Sequence, residues 1–240
     1  MNGTSLTLGL VGALALAGTV RRGSRSRVGA TRQGGLRPGE ARRFNAIYKS
    51  LQDTIRGVVE AYETGFGTGG CCDDMLAYEE ISNWLANVGL PVLGEGAFRW
   101  VFDLGDGRVL KLEKGLGQIE DYDGDEISTW NADPSTSSLT EAERWRLASP
   151  AQREHLVPVL AFDPKGRWII MPKVVPLLQG LDSDADLDAY VKERDRRMAR
   201  RPEKVKQVHR VAKSMGITRQ QVRGDNLDKD FRLLDYGDPR

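Results

Sequence analysis

The spacing of apolar residues changes along the chain, and each change predicts an element. Between residues 40 and 62, Phe44, Ile47, Tyr48, Leu51, Ile55 and Val58 share one face at helical spacing, and the glycines from 65 to 70 end the run. A second helix is expected over 73–87, carrying Leu76, Ile81, Trp84 and Leu85 and stopping near Gly89-Leu90-Pro91. The pattern then shortens. Gly105-Asp106-Gly107 splits two apolar runs, which predicts a β-hairpin with Gly94 and Gly96 in its leading strand and Lys111 in its returning strand. A helix follows over 138–147, with Ser138 at its cap and Glu141 three residues on. Two strands are expected at 155–162 and 168–171, joined by the turn residues 163–167. The remainder reads as two exposed helices, 184–200 and 203–215, separated by Pro202 and ended by Gly216.

The acidic stretch between Lys111 and Glu141 fits none of these periods and is expected to be a mobile loop. Its Asp121-Tyr122-Asp123-Gly124-Asp125 looks superficially like a calcium loop, but the closing glutamate that such a loop needs is missing at the required spacing. Cys71 and Cys72 are adjacent, so a disulfide between them would be strained, and they lack metal-ligand spacing. His155 has no second ligand near it and is read as structural.

Two short stretches carry chemistry. Gly94 and Gly96 allow backbone N–H groups to approach phosphate oxygens without a Cβ in the way. Lys111 lies between Leu110 and Leu112, so strand alternation turns it to the opposite face, where its charge can sit under the same phosphates. Near the other end stand Asp225-Asn226 and Leu233-Leu234-Asp235-Tyr236-Gly237.

Taken together, Leu93-Gly94-Glu95-Gly96, Val109-Leu110-Lys111 and Asp235-Tyr236-Gly237 resemble the glycine-rich loop, third-strand lysine and metal-binding Asp-Phe-Gly of the protein-kinase-like fold. The resemblance covers about residues 88–240 and implies an α+β, two-lobe fold. It implies ATP and Mg²⁺ as cofactors, with Lys111 on the α/β-phosphates and Glu141, or else Glu143, orienting it. Asn226 and Asp235 would hold Mg²⁺, and the backbone of residues 171–174 would meet the adenine edge.

The chain also departs from the pattern. Arg99 stands where the third glycine is expected, either closing over phosphate or stiffening the loop. Gln221 stands where the family has its catalytic aspartate, and glutamine cannot accept a substrate proton; Asp225 is the candidate base instead. The interval from Asn226 to Asp235 is short, and only three residues follow Gly237, which implies a reduced large lobe like those of small phage and bacterial kinase-like proteins. Two functions follow. One is an ATP-dependent phosphotransferase acting on an unknown protein or small-molecule acceptor; the other is a pseudokinase-type or structural interaction module, of a virus for instance, that does no chemistry.

Composition narrows this only a little. The 240 residues are 40% hydrophobic and 29% charged with a net charge of +1, so no global field recruits nucleic acid, and no specific nucleic-acid partner is expected. The apolar run 6–20 is short for a membrane span and is followed by Arg21, Arg22, Arg25 and Arg27, so a weak N-out tether on a cytoplasmic protein is one reading and a floppy or cleaved leader the other. The expected division is an apolar leader and flexible basic linker (1–43), a helical extension (44–90), a kinase-like small lobe (91–180) and a truncated large lobe (181–240).

Overall fold

The computed structural model describes residues 35–61, 72–95, 99–114, 116–120, 126–130, 137–181, 187–219 and 222–237. The apolar run 6–20, Gly96, the acids 121–125 and Gln221 lie outside the described residues, and expectations about them are neither met nor overturned.

The architecture is mixed α+β. Helices α1 (Glu40–Ala61) and α2 (Cys72–Asn87) precede strands β1 (Val92–Glu95), β2 (Arg99–Asp103) and β3 (Arg108–Glu113). A separate hairpin, β4 (Leu116–Glu120) with β5 (Glu126–Trp130), leads to helix α3 (Ser137–Leu147) and the short α4 (Pro150–Arg153). Strands β6 (Ala161–Phe162) and β7 (Trp168–Pro172) follow, then α5 (Leu187–Ala199), α6 (Pro202–Ser214) and a 3-10 turn at Gly224–Asn226. The main sheet is antiparallel in the order β1-β2-β3-β7-β6.

Strand alternation explains how this sheet is covered on both sides. Trp100, Phe102, Leu110, Leu112, Trp168 and Ile170 fall on one face and pack under Phe44, Leu51, Ile55 and Trp84 of α1 and α2. The rings of Phe44 and Trp168 meet edge-on at 5.4 Å, and the Trp168 indole N–H donates to Asn45 at 2.8 Å, so the large ring is buried with its polar atom satisfied. At the near end of α1, Arg108 donates to Glu40 at 2.5 and 3.0 Å and also to Asp106, tying the helix start to the β2–β3 turn. Gly105 and Gly107 take φ of 76° and 82° in that turn, the left-handed region that favours glycine.

The opposite face carries Val109, Ile169 and Met171, which join Ala142 of α3 and Leu227, Leu233 and Tyr236 of the C-terminal segment in a second core. That segment is threaded onto the chain at 155–157: Leu233 N–H donates to His155 O and Val157 N–H to Leu233 O, each at 2.9 Å. The Tyr236 hydroxyl donates to Val157 O at 2.8 Å.

Four expectations change. Gly94 lies in β1, a strand of its own that pairs antiparallel with β2, and not in the strand that leads into the Gly105–Gly107 turn. Within the stretch expected to be a mobile loop, residues 116–120 and 126–130 pair antiparallel as β4 and β5. Only Ala161–Phe162 of the stretch 155–162 is a strand, since residues 155–157 give their backbone bonds to the C-terminal segment. Pro202 marks the break between α5 and α6 as expected, but it belongs to α6 as its first residue, where its missing N–H costs nothing.

The two-sided cover has a measurable consequence. Phe44→Ala removes a fully buried ring from α1 and should destabilise the whole domain by about 3–5 kcal/mol in a urea unfolding experiment, with one cooperative transition. A loss below about 1 kcal/mol would mean that α1 does not pack on the sheet.

Candidate functional site

On β2 and β3 the residues turned towards α3 are not all apolar. Arg99 and Lys111 project from neighbouring strands into the space between the sheet, α3 and the C-terminal segment, and both are buried. Glu141, fully buried on α3, meets them both: Arg99 Nη1 lies 2.5 Å from Glu141 Oε2, and Lys111 Nζ lies 3.2 Å from Oε1 and 3.4 Å from Oε2. Lys111 also donates to the Leu234 carbonyl at 2.5 Å, and Arg99 Nη2 donates to Asp235 Oδ1. Four residues from four elements thus form one alternating cluster, two cations against two anions.

The backbone around this cluster is built to hold it. Glu113, two residues after Lys111 and therefore on the same face, accepts from the Ser138 N–H at 2.7 Å and the Ser138 hydroxyl at 2.5 Å. A buried carboxylate from the strand therefore caps α3, and it complements the positive end of the helix dipole. Ser138 is not the cap that the sequence suggests, because it sits inside the first turn as a donor. At the other side, a Cβ placed on Gly237 would lie 2.1 Å from the Ser137 carbonyl and 2.9 Å from Glu141 Cβ, so glycine is what lets the C-terminal segment close on α3. Arg144 of α3 donates to the Tyr236 carbonyl and fastens the same contact.

The charges set one another's proton affinities. Burial alone would lower the pKa of Arg99, but the carboxylates of Asp235, Glu141 and Glu113 more than reverse this and hold it well above the ordinary arginine value. Burial would raise Asp235; Arg99, Lys111 and the Gly237 N–H instead bring it well below 3.8. The Asp235 side chain is nevertheless 47% exposed, so its ion pair opens to solvent where that of Glu141 does not. Tyr236 is pushed well above 10, first by burial and then by Glu141.

The other expected site residues are placed unevenly. Asn226 comes close, since its carbonyl accepts the Leu234 N–H at 2.8 Å, one residue before Asp235. Asp225 is exposed beside Asn226, with Arg223 3.7 Å away, and it faces Tyr190 of α5. Gly94 has open space around it: an added Cβ would meet nothing within 4 Å. Among the described residues, no group of three or more His, Cys, Asp or Glu side chains is placed to hold a metal. Sequence reasoning missed Glu113, the helix capper, and Gly237 as a packing requirement. Alternation from Lys111 would have found the first, while nothing local signals the second. No family model, no curated protein and no solved structure matches the chain.

Two outcomes follow from this geometry. Gly237→Ala should cost about 1–3 kcal/mol by overpacking against Ser137 and Glu141, measured by thermal unfolding; an unchanged melting temperature would show that the segment does not close on α3. Because Asp235 is depressed in the folded state, its stabilisation is fully present above the ordinary value of 3.8 and is lost as pH falls through the lower native value. The stability difference between the parent and Asp235→Asn should therefore be constant from neutral pH to about pH 5 and shrink on further acidification. A difference that grows on acidification would contradict the pairing with Arg99.

Proposed function

We propose that the chain is a kinase-like module that binds a nucleoside triphosphate with Mg²⁺ between its sheet and its C-terminal segment. One observation carries the reading: a strand lysine, Lys111, reaches a fully buried helix glutamate, Glu141, beside the backbone that presents Asp235. In kinase-like proteins that pair positions the lysine for the phosphates and the aspartate serves the metal. The sheet order β1-β2-β3-β7-β6, with α3 inserted before β6, agrees with the small lobe of such a fold. The reduced large lobe and the cytoplasmic placement belong to this proposal as well.

In this reading each residue has a task. Lys111 is held by Glu141 and Leu234 O and faces the phosphates without a search through rotamers. Asp235 and Asn226 would hold the cation, which when bound neutralises charge between phosphates. Arg99 must first release Asp235. Its guanidinium keeps Glu141 and turns the freed Nη2 to a phosphate oxygen, a partner it matches at least as well as a carboxylate. The Arg99–Asp235 pair also favours a second reading, an interaction module without turnover, because that pair satisfies the carboxylate with no metal.

Mg-ATP at 100 times its dissociation constant should stabilise the protein by about 2.7 kcal/mol, read as a rise in melting temperature. Lys111→Met should abolish the rise with or without metal, whereas Asp235→Asn should keep an ATP-dependent rise and lose its dependence on Mg²⁺. No rise in the parent at millimolar Mg-ATP would end the nucleotide reading.

For chemistry, Asp225→Asn should leave that rise intact and lower phosphate transfer, to water or to an acceptor, by about 10²–10⁴. Equal turnover by the parent and Asp225→Asn would remove Asp225 as the base, and no turnover by either favours the module without chemistry.

A further inference from the structure

β6 is the last strand of the main sheet, and among the described residues no strand pairs with its outer edge. The Asp163 N–H donates to Trp168 O at 2.9 Å, which makes the adjacent pair, Phe162 with Ile169, the one that exchanges no ladder bonds. Phe162 therefore turns its own N–H and C=O outward. Its ring shares the face of Ile169, the face towards α3, and is 40% exposed. Beside it lies a groove of about 400 Å³ between this edge and the helices α3 and α4, lined chiefly by Trp145, Arg146, Arg153, Val159 and Phe162. These side chains reach solvent: Arg146, Arg153 and Phe162 are exposed, and Trp145 and Val159 are half-buried. Arg153 stacks on Trp145 at 5.0 Å and donates to the carbonyls of Trp145 and Arg146 at 3.1 and 3.0 Å, which fixes its place on the wall. Among the described residues no carboxylate lies within ion-pair distance of Arg146 or Arg153.

We propose that this edge docks an extended segment of a partner protein, which adds to β6 as a sixth strand and carries an apolar residue with a carboxylate two positions away. Three independent features select that occupant. The outward N–H and C=O of Phe162 ask for a backbone partner, which a strand supplies and a compact ligand does not. Two strand residues offer few backbone bonds by themselves, so the groove must supply the rest. Its exposed ring and the half-buried Trp145 and Val159 take the apolar side chain. The next side chain on the same face of an added strand is two residues along, where Arg146 and Arg153 set its charge. Charge also decides against the nearer alternatives. A second copy joined edge to edge would set these arginines against their own counterparts, and the stretch 21–32 of this chain, with Arg21, Arg22, Arg25, Arg27 and Arg32, has the same wrong sign. This docking does not depend on nucleotide binding.

Fluorescence anisotropy with the full chain tests this, using a labelled peptide that repeats leucine, threonine, glutamate, threonine. Two further peptides replace the leucines by serine or the glutamates by lysine, and each should bind at least about tenfold more weakly. Two more are N-methylated on the backbone, one at the threonines and the other at the leucines and glutamates. Only one of these sets turns its N–H groups to β6, so one peptide should lose at least about tenfold in affinity and the other stay within about threefold. Phe162→Ala and Arg146→Glu change exposed side chains and should each weaken binding at least about tenfold with an unchanged melting temperature. Arg56→Glu makes the same charge change on α1, across the sheet, and should leave binding within about threefold. The proposal fails if the two N-methylated peptides bind alike, if the serine or lysine peptide binds as tightly as the first, or if Arg56→Glu weakens binding as much as Arg146→Glu. It fails equally if Phe162→Ala binds as the parent does, if the chain self-associates through Phe162 and takes up no peptide, or if no peptide binds at millimolar concentration.

Discussion

Burying two cations, Arg99 and Lys111, beside the fully buried Glu141 and the half-exposed Asp235 is the constraint on which the rest of this structure depends. Arg99 is 5% exposed and Glu141 fully buried, so neither charge can turn to water if its partner leaves. Removing one member of such a pair typically costs about 3–5 kcal/mol, because an uncompensated charge remains inside. The surrounding elements meet that demand in order. Alternation in β2 and β3 sends the large aromatic and aliphatic residues to α1 and α2, leaving the other face for Arg99, Lys111 and Glu113. Glu113 fixes the start of α3, which sets Glu141 at the right height, and Gly237 lets the last segment approach closely enough to bring Asp235.

Much of the architecture is legible in the sequence wherever one local pattern decides the outcome. The α1 face, the Gly105–Gly107 turn and the end of α2 are read from spacing and from glycine, and the structure places them within a residue or so of expectation. Glu141 is distinguished from Glu143 only by which face of α3 meets the sheet, which a single helix cannot reveal. The expected strand at 155–162 is cut short for a tertiary reason: His155 and Val157 exchange backbone bonds with Leu233 of the C-terminal segment, nearly eighty residues away, and the chain joins the sheet only from Leu160, whose N–H donates to Ile170 O. Arg99 looked like a blemish in a glycine loop. Its double pairing with Glu141 and Asp235 needs two contacts of long sequence separation, and no window of sequence contains either of them.

Charge shows the same contrast between average and place. A net charge of +1 argues against a global field, yet α5, α6 and the following turn are strongly basic while the acids are concentrated elsewhere. Whole-chain neutrality therefore says little about local recognition. The exposed i, i+3 and i+4 pairs on α5, such as Glu193 with Arg196 and Arg197, offset part of the excess and contribute little to stability.

The proposed function requires the Arg99–Asp235 contact to be an exchangeable one, given up to an incoming phosphate and metal, and not a permanent weld. Side-chain ¹⁵N NMR of Arg99 during a titration with Mg-ATP reads that contact directly. The account predicts that the Arg99 guanidinium resonances move and saturate with Mg-ATP, and return when EDTA removes the metal. Arg99 resonances that stay in place at millimolar Mg-ATP would contradict it and leave the cluster as a purely structural clasp.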